Sequence, residues 1–277
     1  MKNLKKIIKK SLLWITCLGL IVLIAGCGNK NAQDKTVKVG INNADTPIWK
    51  VVQKQVKKDH IKLKIVEFSD YNQPNTALAQ GELDINAYQH QFFLNNWNKA
   101  HHTHLVAIGN TVIQPMTIYS NKITNIKQLK SGAKVSLPND ASNEARALQL
   151  LEAAGLITLR NTNKKLPSTK DIQANKLDLK FSVLDAAQTA HSLNDVDIAV
   201  VNGNVANAAK LSPKKVIYKE KVSQKSKPWI NIIVANKKDK NNATYKKVVK
   251  AFQTPAVAKE IKHVYGQGAV TVWNSKF

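Results

Sequence analysis

Short apolar runs alternate with amphipathic stretches along most of the chain. Apolar runs rich in β-branched residues at 37–41 and 61–68 predict strands, and the helical spacing of residues 47–58 predicts a helix that begins at Pro47. A helix between two strands is typical of a βαβ unit, in which the strands lie parallel in one sheet.

The same alternation continues to the end of the sequence. Further strands are predicted at 83–88, 133–139, 177–185, 196–203 and 216–220. Further helices are predicted at 73–81, 90–100, 142–155, 186–194, 242–254 and 255–268. Repeated alternation of this kind indicates an α/β fold with predominantly parallel sheets covered by helices.

Two longer β-rich segments interrupt the alternation. Residues 104–120 form one, which contains Pro115, and residues 228–237 form the other. Strands of this length can run from one lobe into another, so the pattern predicts two lobes joined by two strands, with a cleft between them. The predicted lobes are 36–115 with 230–277, and 116–229.

The first residues predict export and attachment to a membrane. Basic residues 1–10 precede an apolar run of 14 residues, which is shorter than the about 20 needed to span a bilayer and is typical of a signal peptide. The following Ile-Ala-Gly-Cys resembles the lipobox of bacterial lipoproteins, in which the cysteine is acylated. We therefore expect a signal peptide at 1–26, lipidation at Cys27 and a polar tether at 27–35 on the outer face of the cell membrane.

The high net positive charge does not change the interpretation of the chain as an exported, membrane-attached protein. Five lysines of the +24 formal charge lie in the predicted signal peptide, which leaves +19. The lysines are spread along the chain without interleaved aromatic residues, which favours a solvated surface over a nucleic-acid partner.

Catalytic and metal motifs contribute little. The sequence contains no GxSxG, P-loop or HExxH motif, and we expect neither an enzyme nor a cofactor. His101, His102 and His104 leave a zinc-binding surface lipoprotein as an alternative, although three ligands this close in sequence do not easily meet one tetrahedral centre.

Arginine is rare in the chain, and one arginine lies in a favourable place. Arg146 and Arg160 are the only arginines among 42 basic residues. Arg146 falls in the first turns of a predicted helix after a strand, where free backbone amides and a guanidinium suit a carboxylate. The alternative is an ion pair with Asp140, Glu144 or another acid on the surface.

Asparagines and aromatic residues also follow predicted strands, where α/β folds place their sites. Asn202 ends one buried strand, and Asn231 interrupts an apolar crossing segment. Phe68, Tyr71, Tyr88 and His90 follow two neighbouring strands and can form an apolar wall for a thioether. Each residue alone is also compatible with a structural role.

Four segments together resemble the NlpA/MetQ family of bacterial lipoproteins, the methionine-binding components of ABC importers. They are FSDYNQPNTALAQGELDINAYQH, SLPNDASNEARAL, DIAVVNGNVA and PWINIIV. The resemblance implies a two-lobed type II periplasmic-binding-protein fold with a two-strand hinge and an interlobe cleft. It also implies methionine as ligand, and an ABC permease with its cytoplasmic ATPase as partner.

The resemblance assigns roles to residues of this chain. Arg146 would hold the ligand carboxylate with Asn143 beside it, while Asn202 and Asn231 would hydrogen-bond the ammonium and carboxylate. Tyr71, Tyr88 and His90, with Phe68, would enclose the side chain. Tyr88, Trp229 and Val205 differ from the residues common in relatives, so a binder of methionine-containing dipeptides and a surface adhesin remain alternatives.

Overall fold

Two five-stranded sheets with helices packed on them organise the residues that the structure describes. The computed structural model describes residues 34–161 and 166–273. Its strands are β1 (Lys35–Asn42), β2 (Ile61–Phe68), β3 (Ile85–Ala87), β4 (Leu105–Asn110), β5 (Val112–Ile113), β6 (Thr117–Tyr119), β7 (Lys134–Pro138), β8 (Thr158–Leu159), β9 (Ile172–Ala174), β10 (Lys180–Leu184), β11 (Ile198–Val201), β12 (Val216–Lys219), β13 (Ile232–Asn236) and β14 (Val270–Thr271). Its α-helices are α1 (Thr46–Val56), α2 (Gln73–Gln80), α3 (Gln91–His101), α4 (Ala141–Ala153), α5 (Ala186–Thr189), α6 (Gly203–Ala208), α7 (Ala243–Phe252) and α8 (Pro255–Tyr265).

Local signals in the sequence set the ends of several helices. Pro47 lies in the first turn of α1, where its missing amide hydrogen is not needed. Gly81 ends α2 with a φ of +79°, a conformation that glycine adopts without strain. Asp140 caps α4 because its side chain accepts a hydrogen bond from the Asn143 amide. These helices are confirmed near the predicted positions.

The first sheet has the strand order β2-β1-β3-β13-β4. β1 is parallel to both β2 and β3, whereas β13 is antiparallel to its neighbours β3 and β4. Four of its five strands therefore run in one direction, and β13 alone runs in the other.

The second sheet repeats this arrangement with the order β10-β7-β11-β6-β12. β7 is parallel to β10 and β11, and β6 is antiparallel to β11 and β12. The prediction of predominantly parallel sheets is confirmed, because in each sheet only one strand is reversed.

The reversed strands are those that arrive from the other sheet. The chain leaves the first sheet after β4 and enters the second as β6; it leaves the second after β12 and returns as β13. Only residues 111–116 separate β4 from β6, so the carboxyl end of β4 faces the second sheet. The carboxyl ends of the parallel strands consequently face one another across the space between the sheets, where ligands of α/β folds bind.

Three apolar clusters stabilise this arrangement. One packs α1, α7 and α8 on the first sheet, and another packs α4 on the second sheet. The third combines residues of both halves, such as Leu78 and Trp97 from the first with Val201 and Val205 from the second. The two halves are therefore packed together in part by apolar side chains.

The predicted crossing segments are less regular than their sequence suggests. Residues 104–120 form three short strands. Pro115, which has no amide hydrogen for a continuous ladder, lies in the break between β5 and β6. In the second crossing only β13 is a strand, and Gln224–Trp229 before it forms a 3₁₀ helix. Residues 186–194 form α5 and a 3₁₀ turn instead of one helix.

Some predictions concern residues that the structure does not describe. The signal peptide, the tether and Cys27 lie outside the described residues. Within residues 34–161 and 166–273, no helix is long and apolar enough to cross a membrane. The lobe boundaries at 36–115 with 230–277, and at 116–229, remain a proposal.

Candidate functional site

A cavity between the carboxyl ends of the two sheets collects most of the predicted site residues. It contains about 340 Å³ of space not filled by protein atoms, part of which is open to solvent. Seven of the eight predicted binding residues line it: Tyr71, Tyr88, His90, Asn143, Arg146, Asn202 and Asn231. Five of them lie within five residues after the end of a strand, whereas Arg146 lies in the second turn of the helix after β7 and Asn231 directly precedes β13. The sheet topology therefore explains why they meet.

Phe68 is the predicted residue that does not line this cavity. It is the last residue of β2 and is partly buried against the apolar cluster between the sheets. Its ring passes close to Gly40 on β1, where an added Cβ would stand 3.1 Å from the ring. Its position is that of a packing residue behind the wall that Tyr71 and Tyr88 form.

Arg146 is buried at the cavity wall, in the second turn of α4, with 4% of its surface exposed. Its Nε donates to Glu220 Oε1 at 3.1 Å, and its Nη2 donates to Glu220 Oε2 at 2.5 Å and to the Gln114 carbonyl at 3.0 Å. The guanidinium carbon also lies 5.0 Å from the centre of the Trp229 ring, within the range of a cation–π interaction. Nη1 is the part of the fork that these contacts leave available.

Glu220 therefore supplies the acid that pairs with Arg146. Asp140 and Glu144, the acids considered from the sequence, serve elsewhere: Asp140 caps α4, and Glu144 accepts a hydrogen bond from the Thr169 amide. Glu220 directly follows β12 and also accepts a hydrogen bond from the Met116 amide at 3.0 Å. Its position after a strand end is the signal that could have identified it.

An amide network lines the cavity beside Arg146. The Asn143 side chain donates through Nδ2 to Asp140 Oδ2 at 2.9 Å. Its Oδ1 accepts from Asn202 Nδ2 at 2.8 Å and lies 3.2 Å from His90 Nε2. Asn202 Oδ1 is buried and has no hydrogen-bond partner among the described residues. A buried carbonyl of this kind favours a ligand that donates a hydrogen bond.

His90 is held neutral at the start of α3. Burial, with a further contribution from the Arg146 charge, lowers the pKa of His90 to about 3. Its Nδ1 accepts the Phe93 amide at 3.1 Å, so the single proton of the neutral ring is on Nε2. His90 therefore donates a hydrogen bond to Asn143 and adds no charge to the cavity.

Aromatic rings form the opposite wall. The rings of Tyr71, Tyr88 and Phe93 contact one another in pairs, with ring centres 5.8 to 6.1 Å apart. The Tyr88 hydroxyl donates to the Tyr71 carbonyl at 2.9 Å, and the Tyr71 hydroxyl donates to Asn204 Oδ1 at 2.6 Å. Their polar atoms are satisfied, so the ring surfaces are available to an apolar group.

Asn231 is positioned by its backbone at the junction of the crossing segments. Its amide donates to the Val112 carbonyl, and its carbonyl accepts from the Thr111 amide, each at 2.8 Å. It also forms an isolated antiparallel bridge with His90. The two crossings and the end of β3 therefore meet at this residue.

The histidines at 101, 102 and 104 do not assemble a metal centre. The described residues contain no group of three or more His, Cys, Asp or Glu side chains able to hold a metal ion. His101 instead stacks on Trp97, with ring centres 3.7 Å apart. His102 ends α3 with a positive φ of 53°.

Comparison with known families agrees with this architecture. The family model described as NlpA lipoprotein matches residues 37–273. The chain belongs to the NlpA lipoprotein family. The match includes both sheets and all the cavity residues, so the resemblance drawn from the sequence is confirmed.

The chain is similar over most of its length to three proteins that are described as binding methionine or as belonging to a methionine transporter. The chain is 36% identical over 267 residues to a probable D-methionine-binding lipoprotein of Vibrio cholerae, a match that covers 95% of this chain and 98% of that protein. It is 43% identical to the substrate-binding protein of a methionine transporter from Streptococcus pneumoniae, with a TM-score of 0.82 and coverage of 86% and 96%. It is 42% identical to a nutrient-binding protein from Burkholderia cenocepacia bound to methionine, with a TM-score of 0.82 and coverage of 86% and 100%.

The solved structures of the two binding proteins confirm the two-lobed periplasmic-binding-protein fold. Both are described as binding proteins, one for a transporter substrate and one for a nutrient. The structure adds five residues to the predicted cavity wall: Gln89, Phe93, Gln114, Gly203 and Asn204. Gln114 and Asn204 could have been suspected as polar residues within apolar or strand-end segments, whereas Phe93 is indistinguishable from a core residue in the sequence.

Proposed function

We propose that this protein captures methionine, or a close analogue, outside the cytoplasm and delivers it to an ABC importer. Two kinds of observation support the proposal. Relatives of similar length and fold are described as methionine-binding lipoproteins or as parts of methionine transporters. The cavity of this chain also has the chemistry that an amino acid requires.

The observation that carries the proposal is the pairing of an unsatisfied acceptor with a guanidinium in one cavity. Asn202 Oδ1 accepts no hydrogen bond from the described residues, and Arg146, whose Nη1 is not used by Glu220 or Gln114, lines the same cavity. An α-amino acid has an ammonium to donate to the first and a carboxylate to accept from the second. Its zwitterion adds no net charge to a cavity where Glu220 already neutralises Arg146.

The aromatic wall of the cavity suits the methionine side chain. A thioether is polarisable and makes favourable contacts with aromatic rings, which Tyr71, Tyr88 and Phe93 provide.

Capture proceeds by closure of the two halves, without chemical change of the ligand. The Tyr71 hydroxyl of the first half binds Asn204 of the second, and His90 of the first binds Asn143 of the second. Methionine bound between the sheets contacts both halves at once. It therefore stabilises the closed form by as much as it prefers that form over the open one, and the closed form docks on the permease.

Calorimetry on matched arginine variants tests the proposal. We expect the wild-type protein to bind methionine, and we expect Arg146→Lys to bind it at least about 100-fold more weakly. The planar guanidinium can hydrogen-bond Glu220 on one edge and the ligand carboxylate on another, whereas the lysine ammonium cannot hold both carboxylates in this geometry. Arg160→Lys is the control, since Arg160 is exposed and does not line the cavity. Equal affinities of the wild type and Arg146→Lys would contradict the proposal, as would a failure of the wild type to bind methionine.

We further propose that acyl chains on Cys27 hold the protein on the outer face of the membrane. The chain belongs to a lipoprotein family, and two or more acyl chains give lasting attachment. The wild type should partition into the detergent phase after membrane extraction, whereas Cys27→Ala should be found in the aqueous phase. Identical partitioning of the two proteins would exclude anchoring through Cys27.

A further inference from the structure

Asp140 lies behind the cavity wall and does not line the cavity. Its Oδ1 accepts the Asn143 amide at 2.9 Å and the Ser142 hydroxyl at 2.7 Å. Its Oδ2 accepts the side-chain nitrogen of Asn143 at 2.9 Å. An ionised carboxylate only accepts hydrogen bonds, so Asp140 requires the amide of Asn143 to turn its nitrogen toward it.

This requirement fixes the other end of the Asn143 amide. With Nδ2 directed at Asp140, Oδ1 faces His90 and Asn202 and must receive hydrogen bonds from both. His90 meets this condition, because the Phe93 amide occupies Nδ1 and leaves the proton on Nε2. Asn202 meets it only by turning its own nitrogen toward Asn143.

Asn202 consequently presents its oxygen to the cavity. We propose that Asp140 is a positioning residue that, through Asn143, orients Asn202 so that Oδ1 accepts a hydrogen bond from the ligand ammonium. The inference rests on the proposed function, because it concerns how this cavity recognises an α-amino acid. It also assigns Asn143 to the link between Asp140 and Asn202, a role different from contact with the ligand carboxylate.

Replacing Asp140 by asparagine puts the network in conflict while preserving the helix cap. Asparagine is as good an N-cap as aspartate, so its oxygen can still accept the Asn143 amide. Its nitrogen then faces Asn143 Nδ2, and two donors meet. If Asn143 turns over to relieve this conflict, its Nδ2 faces the His90 N–H and Asn202 must present Nδ2 to the ammonium. Either arrangement of Asn143 therefore leaves two donors facing one another, and the orientation of Asn202 is no longer fixed.

A double-mutant cycle measured by calorimetry with methionine tests this chain of contacts. We expect Asp140→Asn to weaken binding about 10- to 100-fold in the wild-type background. In the Asn202→Ala background the same substitution should change affinity by less than about twofold, because the side chain through which Asp140 acts is absent.

Two results would overturn the inference: no loss of affinity in Asp140→Asn, or the same loss in both backgrounds. Failure of the wild-type protein to bind methionine would instead overturn the proposed function and, with it, this inference.

Asp185→Asn is the matched control, since Asp185 caps α5 through the Ala187 amide and does not line the cavity. It should bind methionine as the wild type does. Equal melting temperatures of Asp140→Asn and Asp185→Asn would show that the loss of affinity arises from the network and not from a weakened fold, whereas a loss of affinity in Asp185→Asn equal to that in Asp140→Asn would count against the inference.

Discussion

Glu220 holds the guanidinium of Arg146 by two parallel hydrogen bonds across 74 residues of sequence. The Arg146 side chain is 5% exposed and that of Glu220 is 17% exposed, so the pair lies largely out of water. Because the carboxylate occupies the Nε and Nη2 edge, it fixes the plane of the guanidinium and directs Nη1 away from itself. The cavity thus contains a charged donor whose orientation is set before a ligand arrives.

Removing the charge of Glu220 should destabilise the protein. Glu220→Gln leaves a buried guanidinium without a counter-charge, and breaking a buried pair lowers the free energy of unfolding by about 3 kcal/mol or more. Urea denaturation followed by circular dichroism measures this change.

Asp178→Asn is the control for that measurement. It breaks the Lys180–Asp178 pair, whose side chains are 61% and 68% exposed, and should change the free energy of unfolding by less than about 0.5 kcal/mol. If Glu220→Gln and Asp178→Asn changed the free energy of unfolding equally, burial of the Arg146–Glu220 pair would not explain its contribution to stability.

Gly203 should be required for the shape of the cavity. A Cβ at this position would stand 2.9 Å from Gln114 Cβ, closer than side chains tolerate. Since the Gln114 carbonyl accepts a hydrogen bond from Arg146, Gly203→Ala should displace the guanidinium and weaken methionine binding by about tenfold. Calorimetry checks this value. Gly268→Ala, where the nearest atom is 3.9 Å away, should bind normally, and an equal loss there would refute the steric explanation.

The Tyr71 hydroxyl should contribute to the closed form of the protein. Tyr71→Phe leaves Asn204 Oδ1 without its hydrogen bond between the halves, so we expect methionine to dissociate faster and to bind about tenfold more weakly. Stopped-flow measurement of tryptophan fluorescence gives the dissociation rate. Tyr218→Phe removes a hydroxyl that contacts Ala153 within the second half, and it should leave this rate unchanged.

Asp45 should make stability depend on pH. Burial raises the pKa of Asp45 from 3.8 to about 6, although the Tyr265 hydroxyl, which donates to Oδ1 at 2.7 Å, opposes the shift. Between pH 4 and pH 6 the folded state therefore binds more protons at this residue than the unfolded state, and Asp45 lowers stability as pH rises through this window.

The substitution Asp45→Asn keeps an oxygen for Tyr265 and removes the ionisation. At pH 8 the variant should exceed the wild type in free energy of unfolding by about 1–3 kcal/mol, and the difference should shrink towards zero below pH 4. Denaturation curves of both proteins at pH 4, 6 and 8 measure it. A difference independent of pH would show that ionisation of Asp45 is not its cause.

The sequence alone determined the kinds of element and the region of the site. Apolar periodicity predicted β1, α1 and β2 within a residue or two, because it reports which side of an element is buried. Polar and aromatic residues soon after strands predicted five of the cavity residues, since the carboxyl ends of parallel strands meet at one edge. Arg146 and Asn231 were predicted from a rare arginine in a helix and from an asparagine that interrupts an apolar segment. Arg146, one of two arginines, was the residue predicted to hold the carboxylate of the ligand. The family motifs indicated the same set of binding residues.

Only the tertiary structure decided which atoms these residues contact. Arg146 pairs with Glu220 and not with the acids near it in sequence, Asn143 connects Asp140 to Asn202, and Phe68 lies behind the wall it was expected to form. A hydrogen bond requires two atoms about 3 Å apart in a suitable direction. Periodicity along the chain specifies which face a side chain occupies, but the distance between segments that meet across the cavity is set only when both sheets and their crossings have packed.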